Sequence, residues 1–168
     1  GTGTRAAALG GLAMVIAHAL FKATLFLVVG VVDHSTGTRQ LNELSGLRHK
    51  LPVTATVAGF AAASMAGIPP TLGFIAKEAG LEGVTNLALT ADGTGIAPVP
   101  GWALVAAIVV GSAITVAYSL RFWWGAFGTK PGVPEAIVGH APEAGFVAVP
   151  ALLGLAGLVG GFLGGPLT

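Results

Sequence analysis

His18, Lys22 and Lys77 are ionisable side chains set in sequence otherwise suited to hydrocarbon. From Ala6 to Val32 the chain is almost entirely apolar, yet His18 and Lys22 lie near the middle of that stretch. Four residues apart on a helix, they share one face. Lys77 follows a second long apolar run, which is broken by Gly67-Ile68-Pro69-Pro70. An ionisable group at membrane depth costs at least ~2.5–3.5 kcal/mol on insertion scales, so it generally lines a polar path. Lysine and histidine can take up and release a proton when their surroundings tune them. The chemistry indicated is movement of protons or ions across a membrane.

Each residue also has a plainer reading. His18 could be structural and Lys22 could snorkel, but Lys22 is ten residues from Val32, roughly 15 Å at helical rise and beyond comfortable reach. Lys77 could end a span, with Glu78 and Glu82 in an exterior loop; a Pro-Pro break just before it would then serve nothing. Glu78 and Glu82 share a face turned about 100° from Lys77, which suits a candidate ion path or ordinary solvation. Asp33 and His34 read as the cap and end of the first helix, with a role for Asp33 in ion access as the alternative. Thr115 and Tyr118 could bond between helices, although nothing singles them out. Glu135, His140 and Glu143 read as solvated loop residues. Cys is absent, which excludes disulfides and thiolate metal sites. No metal is expected, nor any cofactor: Gly1-Thr2-Gly3-Thr4 lacks the ending of a phosphate loop, and no zinc spacing or dinucleotide fingerprint is present.

The elements that must position these groups follow from composition. Hydrophobic residues make up 54% of the chain and charged ones 9%, with a mean hydropathy of +0.84; a soluble domain carries roughly 25% charged residues. The fold class is therefore all-α, a polytopic transmembrane bundle of about four spans. Its 27 glycines suit close helix packing in lipid, and the net charge of +1 gives no reason to expect nucleic acid. The first span is Ala6–Val32, ended by Asp33-His34-Ser35-Thr36-Gly37. Leu41, Leu44 and Leu47 then suggest a short helix lying at the interface. A second, discontinuous span begins near Leu51, breaks at Gly67, Pro69 and Pro70, resumes at Thr71 and runs towards Leu89. Neither proline donates a backbone hydrogen bond, so the break must face protein or water, a recurring transporter device. Ala91–Gly101 is a loop. The third span, Trp102–Phe127, closes on Arg121 and the pair Trp123-Trp124 as an interfacial anchor. The fourth begins near Gly145 and holds GxxxG spacings at Gly157/Gly161, Gly160/Gly164 and Gly161/Gly165. Lysine and arginine concentrate in the first and third connections, which places loops 33–50 and 128–143 in the cytoplasm of a multi-pass inner (plasma) membrane protein. The chain, 1–168, reads as a single partial membrane domain cut from a larger subunit.

Three runs carry a family resemblance: His18–Leu27 followed by Gly30–His34, Leu44–Arg48 with Leu51–Thr54, and Ser64–Glu78. Together they resemble the antiporter-like subunits of respiratory complex I and of Mrp cation/proton antiporters. Val32–Arg39 looks most like the large A-type subunits of the Mrp complexes. The resemblance implies the later part of an antiporter-like core, built in relatives from two inverted five-helix repeats. It implies a proton relay through His18, Lys22 and Lys77, with Lys77 on the second discontinuous helix. It also implies H+ and Na+ as transported ions, other subunits of a multisubunit complex as partners, and a secondary transporter rather than an enzyme. A proton-pumping subunit of NADH:quinone oxidoreductase and a structural membrane scaffold are the alternatives. Many relatives carry a further histidine one turn before His18, where this chain has Met14.

Overall fold

In the computed structural model, residues 2–90 and 101–163 are described, with side chains for 8–85 and 103–163. Among the described residues six helices follow one another: α1 Thr2–Thr36, α2 Leu47–Lys50, α3 Pro52–Ala66, α4 Leu72–Thr90, α5 Gly101–Phe127 and α6 Ala144–Leu163. Among the described residues, three helices are long and apolar enough to cross a membrane: Ala8–Thr36, Ala103–Phe127 and Ala144–Leu163. The second span is the broken pair α3 and α4. The loop expected at Ala91–Gly101 and the glycines at 164 and 165 lie outside the described residues, save Gly101, which opens α5.

α1 packs against α3, α4 and α6, while α5 lies along α3 and α4. One apolar cluster gathers Val28, Val32, Leu44, Leu47, Leu51 and Phe127 at the end shared by the two polar connections. A second, of Ala17, Phe21, Leu25, Ala61, Met65 and Ala76, sits between α1, α3 and α4. Large apolar side chains elsewhere face outwards, including Ile114, Leu120, Leu152 and Phe162. In a lipid solvent such a surface needs no polar cover.

The break is built from local signals. Gly67 ends α3 in the left-handed conformation (φ 80°), which glycine adopts without a Cβ penalty. Its N–H bonds the Ser64 carbonyl at 3.1 Å and the Ile68 N–H bonds the Ala63 carbonyl at 2.9 Å. Thr71 then starts α4: its hydroxyl donates to the Ile68 carbonyl at 2.7 Å and accepts from the Phe74 N–H at 3.4 Å. The Gly73 N–H meets the Ser64 hydroxyl at 3.3 Å. A Cβ on Gly161 would collide with the Pro70 carbonyl oxygen and the Thr71 backbone, so α6 presses its bare Gly161 on the break.

Three expectations need correction. Asp33 and His34 do not cap the first helix; they lie inside α1, which continues to Thr36 and ends at Gly37 (φ 74°). The leucine triplet forms no interfacial helix: Leu44 and Leu47 are 1% and 0% exposed, filling the core from a turn and a single helical turn. Trp123 is no outward anchor either, because its indole N–H donates to the Ala55 carbonyl at 2.9 Å. Trp124 alone of the pair faces out.

The two polar connections meet. The Gly46 N–H bonds the Gly128 carbonyl at 2.9 Å, Ala136 N–H the Ser45 carbonyl at 3.0 Å, and Gly139 N–H the Ser35 carbonyl at 2.9 Å. Lys50 donates to the Ala136 carbonyl at 2.9 Å and lies 3.6 Å from Glu135, which is therefore paired rather than merely solvated. Lys130 reaches the Leu41 carbonyl and that of Gly125, the latter at 2.6 Å. Both connections thus lie at the same end of the bundle.

Candidate functional site

Lys77 is the sixth residue of α4, thirteen before that helix ends, so it does not terminate a span. Helical side chains lean towards the helix N-terminus, and here that direction leads back to the break. The Lys77 ammonium donates to the Ala66 carbonyl at 3.0 Å. The break releases that carbonyl, since a continuing helix would have engaged it four residues on. The second acceptor is the Thr115 hydroxyl of α5, at 3.2 Å. The Lys77 stem passes over Gly67, where a Cβ would approach its Cδ to 2.7 Å.

A cavity of about 490 Å³ opens beside this amine. α1 contributes Met14, α4 contributes Lys77, and α5 contributes Ser112 and Thr115, among mostly small and apolar neighbours. Met14 therefore lines the same space as Lys77.

Lys22 is half-buried on α1, and its ammonium sits 5.9 Å from the centre of the Tyr118 ring, within cation–π range. His18 lies on the outer surface of the described bundle with its ring 5.0 Å from that of Phe21. No hydrogen bond joins His18, Lys22 and Lys77 to one another among the described residues. What relates the two lysines is α5: Thr115 and Tyr118 are three residues apart, on neighbouring turns of one face. Spacing names these two but cannot select them, because which face of α5 meets α4 is decided by packing. The useful signal lies in the break, whose unpaired carbonyls need donors.

Glu78 and Glu82 are exposed and Asp33 is half-buried, and none of them joins Lys77. His34 packs edge-on to Phe146 at 5.7 Å, tying the end of α1 to the start of α6. Among the described residues no cluster of His, Asp or Glu could hold a metal ion.

A lipid-facing bundle with one helix broken and a lysine folded back on the break defines a polytopic membrane protein with a polar group held inside. The family described as NADH:quinone oxidoreductase/Mrp antiporter, transmembrane, matches residues 2–115, and the chain belongs to it. It is 43% identical over 111 residues to the A1 chain of a Na(+)/H(+) antiporter of Staphylococcus saprophyticus, covering 64% of this chain and 13% of that protein. It is 37% identical over 161 residues to the A/B component of a probable K(+)/H(+) antiporter of Rhizobium meliloti, covering 96% and 15%. The structure of the Mrp complex from Dietzia sp. DQ12-45-1b superposes with a TM-score of 0.66 at 42% identity, covering 89% of this chain and 15% of that one. The chain thus spans less than a fifth of the length of these relatives.

Proposed function

We propose that this chain is part of the proton-translocating subunit of a multisubunit cation/proton antiporter, in which protons cross by way of His18, Lys22 and Lys77. The observation that carries the reading is Lys77, folded onto a carbonyl freed by the helix break and open to a cavity. A buried ionisable group on a discontinuous helix is how transporters present a titrating site inside a membrane. α5 supports the continuity of such a route, since its Thr115 and Tyr118 touch Lys77 and Lys22 respectively. The exchanged cation would be Na+ or K+, as the names of the relatives suggest, and the partners would be the other subunits of the complex. The subunit would sit in the inner membrane with connections 33–50 and 128–143 cytoplasmic, a placement that rests on Arg39, Arg48 and Lys50 in the first, Lys130 in the second, and their shared end of the bundle.

The alternative of a complex I subunit shares the family, but the named relatives are antiporter subunits. A pure scaffold predicts that neutral replacements impair assembly and leave transport intact. ΔpH-driven Na+/H+ and K+/H+ exchange in everted vesicles carrying the full complex separates these readings. Lys77→Ala should abolish exchange while a native gel shows normal assembly. Normal exchange in that variant would remove Lys77 from the path and sink the mechanism.

A further inference from the structure

We propose that Thr115 is a positioning residue for Lys77, holding the amine through both its protonation states and leaving one N–H for exchange. This rests on Lys77 being a proton carrier. The Thr115 hydroxyl has a single hydrogen, and that hydrogen is committed to its own helix: the Ser112 and Gly111 carbonyls lie 2.7 and 2.9 Å away. Towards Lys77, Thr115 is therefore an acceptor only. The Ala66 carbonyl, 3.0 Å from the same nitrogen, can also only accept. A protonated lysine has three N–H groups, and a neutral amine has two N–H groups and one lone pair. Two acceptors from two different helices thus engage the two N–H groups common to both states. The third position gains and loses the proton, and the cavity that Lys77 lines with Met14 and Ser112 is the space left for it.

Loss of the proton then breaks neither bond, and the nitrogen stays in place between transfers. Such a fixed amine shortens reorganisation at each step, as preorganised sites do generally. Without Thr115 the amine keeps one anchor and can rotate its exchanging position away from the cavity.

The test uses the full complex in everted vesicles, with exchange rate and native-gel assembly measured on the same membranes. Thr115→Val keeps the shape and removes the acceptor; Thr115→Ser restores the hydroxyl. Thr115→Val should lower exchange on the order of tenfold, the size expected for one hydrogen bond to a charged group, and Thr115→Ser should stay near wild type. Should the valine variant fail to assemble, Thr115→Ala decides by the same criterion. Wild-type exchange in Thr115→Val, or an equal fall in the valine and serine variants, overturns the proposal. Lys77→Ala runs alongside: inactive Lys77→Ala with active Thr115→Val rejects only the positioning role, whereas active Lys77→Ala rejects the transport reading and this inference with it.

Discussion

Gly67 and Lys77 share one space: the lysine stem crosses the point where any side chain at residue 67 would begin, 2.7 Å from its Cδ. The glycine therefore does two things at once. It turns the chain out of α3 with a positive φ, and it leaves the gap through which Lys77 reaches the Ala66 carbonyl.

Gly67→Ala should be harmful on both grounds. A left-handed alanine costs ~1–2 kcal/mol, and the added methyl must displace the lysine stem that crosses it. The expected outcome is a lower thermal midpoint for the solubilised complex and a loss of exchange larger than Gly37→Ala produces. Gly37 shares the positive φ (74°) but has open space around it, so equal effects in the two variants would show that the space above Gly67 is irrelevant.

Tyr118 meets Lys22 through its ring and not its hydroxyl. Tyr118→Phe should therefore retain exchange within about twofold, while Tyr118→Leu forfeits a cation–π contact of ~0.5–2 kcal/mol. Exchange assays on both variants, with Lys22→Gln as reference, check this ordering. A Phe variant as impaired as the Leu variant would transfer the role to the phenol.

Trp123 locks α5 to α3 through the Ala55 carbonyl, and the indole lies against Gly59, whose Cβ would meet its Nε1 at 3.2 Å. Trp123→Phe should cost ~0.5–1.5 kcal/mol for the bond, while the Ala55 carbonyl keeps its helical partner within α3. The decrease should appear in thermal unfolding of the solubilised complex. Trp124→Phe, on the exposed side, should leave that midpoint close to wild type.

Lys130 supplies the pH dependence. Burial pushes its ammonium below the ordinary lysine value of 10.5. Between the lowered folded value and 10.5 the unfolded chain holds more protons, so stability rises with pH there. Below that window the desolvation cost is present in full. Relative to Lys130→Gln, the wild type should thus gain stability as pH climbs towards 10.5 and show a flat difference at lower pH. Thermal midpoints of both proteins across that range measure it; a wild type that loses ground to the variant as pH rises would contradict the assignment.

The break, the restart of α4 and the length of α5 are legible because Gly, Pro and Thr act locally on backbone angles and donors. Sequence reopens a helix at Thr71 and carries it towards Leu89, and α4 occupies Leu72–Thr90. The acceptors of Lys77 are not legible in the same way. Ala66 is anonymous in sequence, and its carbonyl matters only because the helix stops there. Thr115 depends on the rotation of α5, which no period within α5 encodes. Trp123 misleads for the same reason, since an aromatic pair at a span end looks alike whichever way it is turned. The Leu41, Leu44 and Leu47 spacing is real burial, but an irregular segment delivers it. Asp33 and His34 look like a stop, and yet polar residues in a last turn are tolerated where a glycine, here Gly37, does the stopping.

The junction between the two connections is written largely in main-chain atoms: Gly46 with Gly128, Ala136 with Ser45, Gly139 with Ser35. Bonds of that kind do not depend on which side chains accompany them. Substitutions that keep the local backbone angles can therefore exchange charge, bulk and polarity in these segments while those three threads of the clasp stay tied.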